Sequence, residues 1–118
     1  MFFKKKRQPP KCFCHVSVVL QAIQNVIGRD TGVIDILFSY HGKQHCVGLC
    51  SEFSQKKGFY DEEFYLDNQL FTTFDDFKAG SVLGGTLFVN TPDRLEITTV
   101  DDAPPHCFPL FEPYLVDE

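Results

Sequence analysis

The chain has 118 residues, 43% hydrophobic and 23% charged, with a formal net charge of −5 at neutral pH. Those figures describe one folded domain with a modest core and exclude a disordered chain or a multidomain one. No run approaches the roughly 20 consecutive apolar residues of a membrane-spanning helix, so no membrane contact is expected.

Residues 1–10 read as a basic flexible arm: "KKKRQPP" has no apolar periodicity, and its prolines discourage a helix. "MFFKKKR" supplies the positive start of an export signal, but no uninterrupted apolar stretch or small-residue cleavage site follows. The five cysteines are an odd number without a disulfide-framework spacing, which points to free thiols and a cytoplasmic setting. Four cations on the tail of an acidic protein weigh more toward solubility than toward nucleic-acid binding.

From Val16 to Ile27, the residues Val16, Val19, Leu20, Ile23, Val26 and Ile27 recur at helical spacing, and Gly28 offers a stop. This predicts an amphipathic helix. Next, Ile34, Ile36, Phe38 and Tyr40 alternate with Asp35, Leu37 and Ser39 ahead of "HGKQ", a β-hairpin signature. "FYLDNQLF" places Asp67-Asn68 as a second turn between apolar runs. Thr73, three residues before Asp76, predicts a capped short helix through "FDDFKA", ended by Gly80. "GTLFVN", "TPDR" and "LEITTVDD" read as strand, turn and strand.

Residues 103–118 hold four of the seven prolines and are expected to run extended over the surface with their aromatics tucked inward. The predicted fold is a single α+β domain over residues 11–118. An amphipathic N-terminal helix packs on an antiparallel sheet of about four to six strands, with one short additional helix. Thirteen phenylalanines and no tryptophan require either dense aromatic packing or exposure to a partner.

The cysteines and histidines invite a metal or a nucleophile. "KCFCH" lacks the spacing of a haem-attachment site. Cys12 and Cys14 would share one face of an extended segment, as would Cys46 and Cys50, but a zinc site built from them, His41, His45, His106 and Cys107 needs three distant segments. Core packing is the simpler expectation for these thiols, and no cofactor is expected. His45-Cys46 and His106-Cys107 are sequence neighbours, which point to opposite faces of a strand and cannot form a dyad; no enzyme is expected.

Charge layout carries the functional expectation. Residues 1–57 hold nine Lys/Arg against three acids, or +6; residues 58–118 hold two against thirteen, or −11. An acidic and aromatic surface over residues 59–76 and 93–102 is the candidate partner-binding site, comprising Phe59, Tyr60, Asp61, Glu62, Glu63, Asp75, Asp76, Asp101 and Asp102. Its expected partner is another protein with a basic surface, in an inhibitor, immunity-like or adaptor role. A Cys/His metal-binding module is the alternative, and Cys/His catalysis the third.

Overall fold

The computed structural model describes residues 9–29, 32–54, 56 and 59–116. In chain order these form β1 (Lys11–Cys14), α1 (Val16–Val26), β2 (Ile34–Tyr40), β3 (Lys43–Ser54), β4 (Phe59–Leu66), β5 (Gln69–Phe71) and α2 (Phe74–Gly80). A small pair, β6 (Val82–Leu83) and β7 (Thr86–Leu87), precedes a 3-10 turn over Phe88–Asn90 and β8 (Leu95–Val100). Two further 3-10 turns, Pro105–Cys107 and Pro109–Tyr114, lead to β9 (Leu115–Val116). The basic arm expected over residues 1–10 falls, apart from Pro9 and Pro10, outside the described residues.

The fold is α+β, and its sheet is larger than expected. Seven strands pair antiparallel in the order β5-β4-β3-β2-β8-β1-β9, and β6-β7 form a separate two-stranded sheet. The extra strands are short segments whose length hides any alternation. β1 has four residues and β9 two, and β9 exists because Lys11 and Cys12 pair with Val116 and Leu115.

α1 begins where His15, in extended backbone, accepts the Ser17 N–H on Nδ1 at 3.1 Å. This satisfies one of the amides a helix start leaves unpaired. The helix buries Val16, Val18, Val19, Ala22 and Ile23 against the sheet. Gly28 follows with φ +77°, a conformation that glycine takes at little cost. The β2–β3 turn uses left-handed backbone at His41 and Gly42, the two-residue turn that matches strand twist. α2 carries the predicted cap: the Asp76 N–H donates to Thr73 Oγ1 at 3.0 Å.

Both helices lie on one side of the sheet. That side presents Cys12, Cys14, Ile34, Ile36, Phe38, Val47, Leu49, Phe64, Leu66, Leu95 and Ile97, all buried. Complete burial of one such side chain contributes about 1.5–3 kcal/mol. The phenylalanines pack densely here, with Phe77 of α2 lying 5.8 Å from Phe71, 6.2 Å from Phe64 and 6.1 Å from Phe88.

Two local expectations are corrected. "GTLFVN" is a strand only at Thr86–Leu87, because Gly84 and Gly85, both at positive φ, fold β7 back on β6. Phe88 then turns into the core, stacking on Phe38 at 5.9 Å, while its N–H donates to the Ser81 carbonyl. The 103–118 segment is not simply extended. Proline's fixed φ suits 3-10 turns as well as polyproline geometry, and the turn over Pro109–Tyr114 drops Phe111 into the core beside Cys12.

Candidate functional site

Strand alternation puts a second set of residues on the opposite face of the sheet, and no described element packs over it. β2 contributes Asp35, Leu37 and Ser39; β3 contributes Cys46, Gly48 and Cys50; β4 contributes Asp61, Glu63 and Tyr65. Leu70 of β5 stands beside Tyr65, and β8 and β1 bring Glu96 next to Phe13. On the helix side the positions at the centre of the sheet, among them Ile36, Phe38, Val47, Leu49, Phe64 and Leu66, are buried. On this side most are exposed or half-buried, and Leu70 is 61% exposed.

The centre of the face is built on Gly48. A Cβ there would collide with the Ile34 carbonyl oxygen and stand 2.7 Å from the Tyr65 hydroxyl. The bare backbone lets the Tyr65 side chain lie across β3 and donate its hydroxyl to Asp35 Oδ1 on β2. Burial, reinforced by that carboxylate, pushes the Tyr65 phenol well above its ordinary range, so it stays a neutral donor.

Asp35 is held from the other side by Asp101. The Asp35 N–H donates to Asp101 Oδ1, and the Asp101 N–H donates to the Asp35 carbonyl, each at 2.8 Å. Nearby, a bulge between Leu37 and Phe38 lets the Thr98 hydroxyl donate to the Leu37 carbonyl at 2.9 Å. Thr99 Oγ1, in register with Leu37, is buried and has no hydrogen-bond partner among the described residues.

Carboxylates of Asp35, Asp61, Glu63 and Asp101 gather toward the end where β2 begins, whereas Glu96 and Arg94 lie toward the other. Beyond Phe13 that second end opens into a cleft of about 310 Å³, bordered by Arg94, Tyr114 and Val116.

The structure brings only part of the sequence-predicted site together. Asp61 and Glu63 lie on the uncovered face. Glu62, between them, points to the helix side, where its carboxylate accepts the Gly28 N–H at 3.4 Å. Asp75 and Asp76 occupy the first turn of α2, in the helix layer, and Asp75 pairs with Lys78 at 3.6 Å. Asp101 and Asp102 form a left-handed turn after β8, and Asp101 braces Asp35. The backbone of Phe59 and Tyr60 pairs with Ser54 and Phe53; their side chains lie outside the described residues.

Sequence reasoning missed Asp35, Leu37, Tyr65 and Leu70 as surface residues. The alternation in "IDILFSY" already placed Asp35 and Leu37 on one face; that no described helix covers this face is a property of the tertiary fold.

The thiols divide between the two faces. Cys12 and Cys14 are core residues, and the Cys14 thiol is pushed up by its hydrogen bond to Cys12 and by burial. The core expectation is corrected for Cys46, which is half-buried, and for Cys50 and Cys107, which are exposed; Cys46 and Cys50 lie on the uncovered face and Cys107 at the end of a 3-10 turn. Burial first, then the carboxylates of Asp67 and Asp35 around Cys46 and of Glu63 and Asp35 around Cys50, pushes both thiols up, keeping them protonated near neutral pH.

His45 faces away from Cys46. It stacks on Phe38 at 5.3 Å, with Nδ1 2.8 Å from Asp67 Oδ2. No group of three or more His, Cys, Asp or Glu is placed to hold a metal ion among the described residues. None of their helices is long and apolar enough to cross a membrane. Against known proteins, the chain matches no family model, no curated protein and no solved structure.

Proposed function

We propose that the chain is a small cytoplasmic interaction protein that binds a basic protein partner through the uncovered face of its sheet, as an inhibitor, immunity-like factor or adaptor. One observation carries this reading. Among the described residues, a seven-stranded sheet with both helices on one side leaves the other side uncovered, and that side combines Leu37, Tyr65 and Leu70 with Asp35, Asp61 and Glu63.

Carboxylates around a partly apolar centre suit a cationic partner physically. The field raises the encounter rate over a Debye length of about 8–10 Å, and the apolar side chains supply the contact that excludes water. Hydrogen bonding fixes Tyr65 before any partner arrives, so its ordering costs little on binding. The cytoplasmic assignment rests on the odd cysteine count and on thiols that are all free.

The test is to recover the partner by affinity purification from the native host and then reverse charge on each layer separately. Asp61→Lys with Glu63→Lys should weaken binding, whereas Asp75→Lys with Asp76→Lys, on the helix layer, should leave it close to wild type. Equal loss from both pairs, or from neither, refutes the assignment to this face.

A further inference from the structure

The cleft beyond Phe13 is a second place where the chain can hold a ligand, at the other end of the sheet from Asp35, Asp61 and Glu63. β1 and β8 run antiparallel, with Phe13 opposite Glu96 and Cys14 opposite Leu95. One step further along stand His15 on one chain segment and Arg94 on the other, and both line the cleft. On the far side of β1 the wall comes from Tyr114, Leu115 and Val116, where the last 3-10 turn becomes β9. A volume of about 310 Å³ is at the small end of pockets that hold organic molecules.

Two kinds of side chain meet there. Phe13, Leu115, Val116 and the ring of Tyr114 are apolar, and Tyr114 and Val116 are left 37% and 45% exposed. An apolar ligand that displaces water from such surface is bound favourably. The Arg94 guanidinium is exposed and makes no ion pair or hydrogen bond among the described residues. Its neighbour Asp93 is engaged by the β2–β3 hairpin, where the Tyr40 hydroxyl donates to it at 3.4 Å and His41 Nε2 stands 3.1 Å away. Glu96 does not line the cleft. His15 adds a donor of fixed identity: because Nδ1 accepts the Ser17 N–H at 3.1 Å, the neutral ring carries its proton on Nε2.

We infer that this cleft binds a small organic acid, a single carboxylate carried on an aromatic or branched aliphatic body. Arg94 offers a planar fork of N–H groups that matches the two oxygens of a carboxylate, and His15 Nε2–H is a further donor beside it. The apolar body lies against Phe13, Tyr114 and Val116. A phosphate has more charge and more oxygens to satisfy, and it would meet one guanidinium among walls that are largely apolar. The inference goes beyond the binding of a basic protein. It uses none of the carboxylates of the other end, so either can fail without the other.

The probe is hydrocinnamate, added to the full-length chain and followed by backbone amide spectra. The amides of Phe13, His15, Leu115 and Val116 should move saturably, with a dissociation constant of about a millimolar for a ligand of this size with one charged anchor. Those of Asp61, Glu63 and Leu70 should stay in place. Arg94→Gln should weaken binding about tenfold, and Arg94→Lys, which keeps the charge and loses the fork, should recover only part of it. An unchanged melting temperature certifies the fold of both variants, since the side chain has no partner to lose. His15→Asn keeps a residue that can cap α1 and should weaken binding about threefold through loss of the Nε2 donor.

Ligand analogues separate charge from body. Hydrocinnamamide has the shape without the charge and acetate the charge without the body, and each should bind about tenfold more weakly than hydrocinnamate. Acetate binding as tightly as hydrocinnamate, or phenethyl phosphate binding more tightly, overturns the assignment. A peptide ending in a free phenylalanine carboxylate that binds more tightly than hydrocinnamate assigns the cleft to a chain terminus and overturns the small-acid reading. Full binding by Arg94→Gln, or no movement at the cleft with several millimolar hydrocinnamate, refutes the site outright.

Discussion

Tyr65 and Asp35, on strands separated by β3, are joined by a hydrogen bond that passes over Gly48. It ties β4 to β2 across the strand between them, on the side of the sheet opposite α1 and α2. Strand register permits this because Gly48 is paired with both residues, with Asp35 on one side and Tyr65 on the other.

Gly48→Ala should therefore be costly although it adds one methyl group. The added carbon meets the Ile34 carbonyl, so the backbone must shift and the Tyr65 side chain must leave its place. We expect a loss of about 2–4 kcal/mol in urea unfolding, the range of overpacked, rigid sites. Tyr65→Phe should cost less, about 1–3 kcal/mol, because it removes only the hydrogen bond to the carboxylate. A Gly48→Ala chain as stable as the wild type would show that the strands relax around the methyl freely.

Alkaline pH tests the same pair. The Tyr65 phenol is held above its ordinary value of about 10, which is its value in the unfolded chain. A group with a raised folded pKa contributes its full stability below the unfolded value and loses it as pH climbs from there toward the folded one. Stability should thus fall above about pH 10, and Tyr65→Phe should flatten that decline. The ultraviolet signal of tyrosinate gives an independent check, since its late-titrating fraction should shrink in Tyr65→Phe, leaving Tyr40, which burial and Asp93 also push up. An unchanged titration in the variant would contradict the buried hydrogen bond.

Elements announced by their own residues were legible in the sequence. Gly28 ends α1, His41-Gly42 turns the first hairpin, and Thr73 caps α2, because each acts within one turn of chain. Features set by distant pairing were not. β9 is two residues that become a strand only through β1, and Phe88 leaves an apparent strand because Phe38 and Phe77 offer a better place for its ring. The candidate site fared likewise. Acidic residues close in sequence, Asp61, Glu62 and Glu63, are split by the pleat between two faces, while Asp35 and Tyr65 meet from different hairpins.

Thiol chemistry should follow burial. With a small alkylating reagent under native conditions, Cys50 and Cys107 should react first, Cys46 more slowly, and Cys12 and Cys14 only after unfolding. Raising pH should accelerate Cys50, whose thiol is pushed up by burial and neighbouring carboxylates, because more of it becomes thiolate. Protein prepared without oxidant should show five free thiols on denaturation and no stoichiometric zinc. Early labelling of Cys12, or one equivalent of zinc retained against a mild chelator, would contradict the core placement of β1.

Binding kinetics should separate the two components of the open face. Asp61 and Glu63 act at a distance, so their reversal to lysine should slow association, and the difference should shrink as salt shortens the range of the field. Leu70 acts only on contact. It is 61% exposed and next to Tyr65, so it can be removed without disturbing the Tyr65–Asp35 bond that organises the face. Leu70→Ala should leave association nearly unchanged and speed dissociation about tenfold, equivalent to about 1.4 kcal/mol, with little dependence on salt. Surface kinetics with the recovered partner at two ionic strengths would measure both. Charge reversal that alters only dissociation, or a Leu70→Ala chain that binds as the wild type does, would move the interface away from β4 and β5.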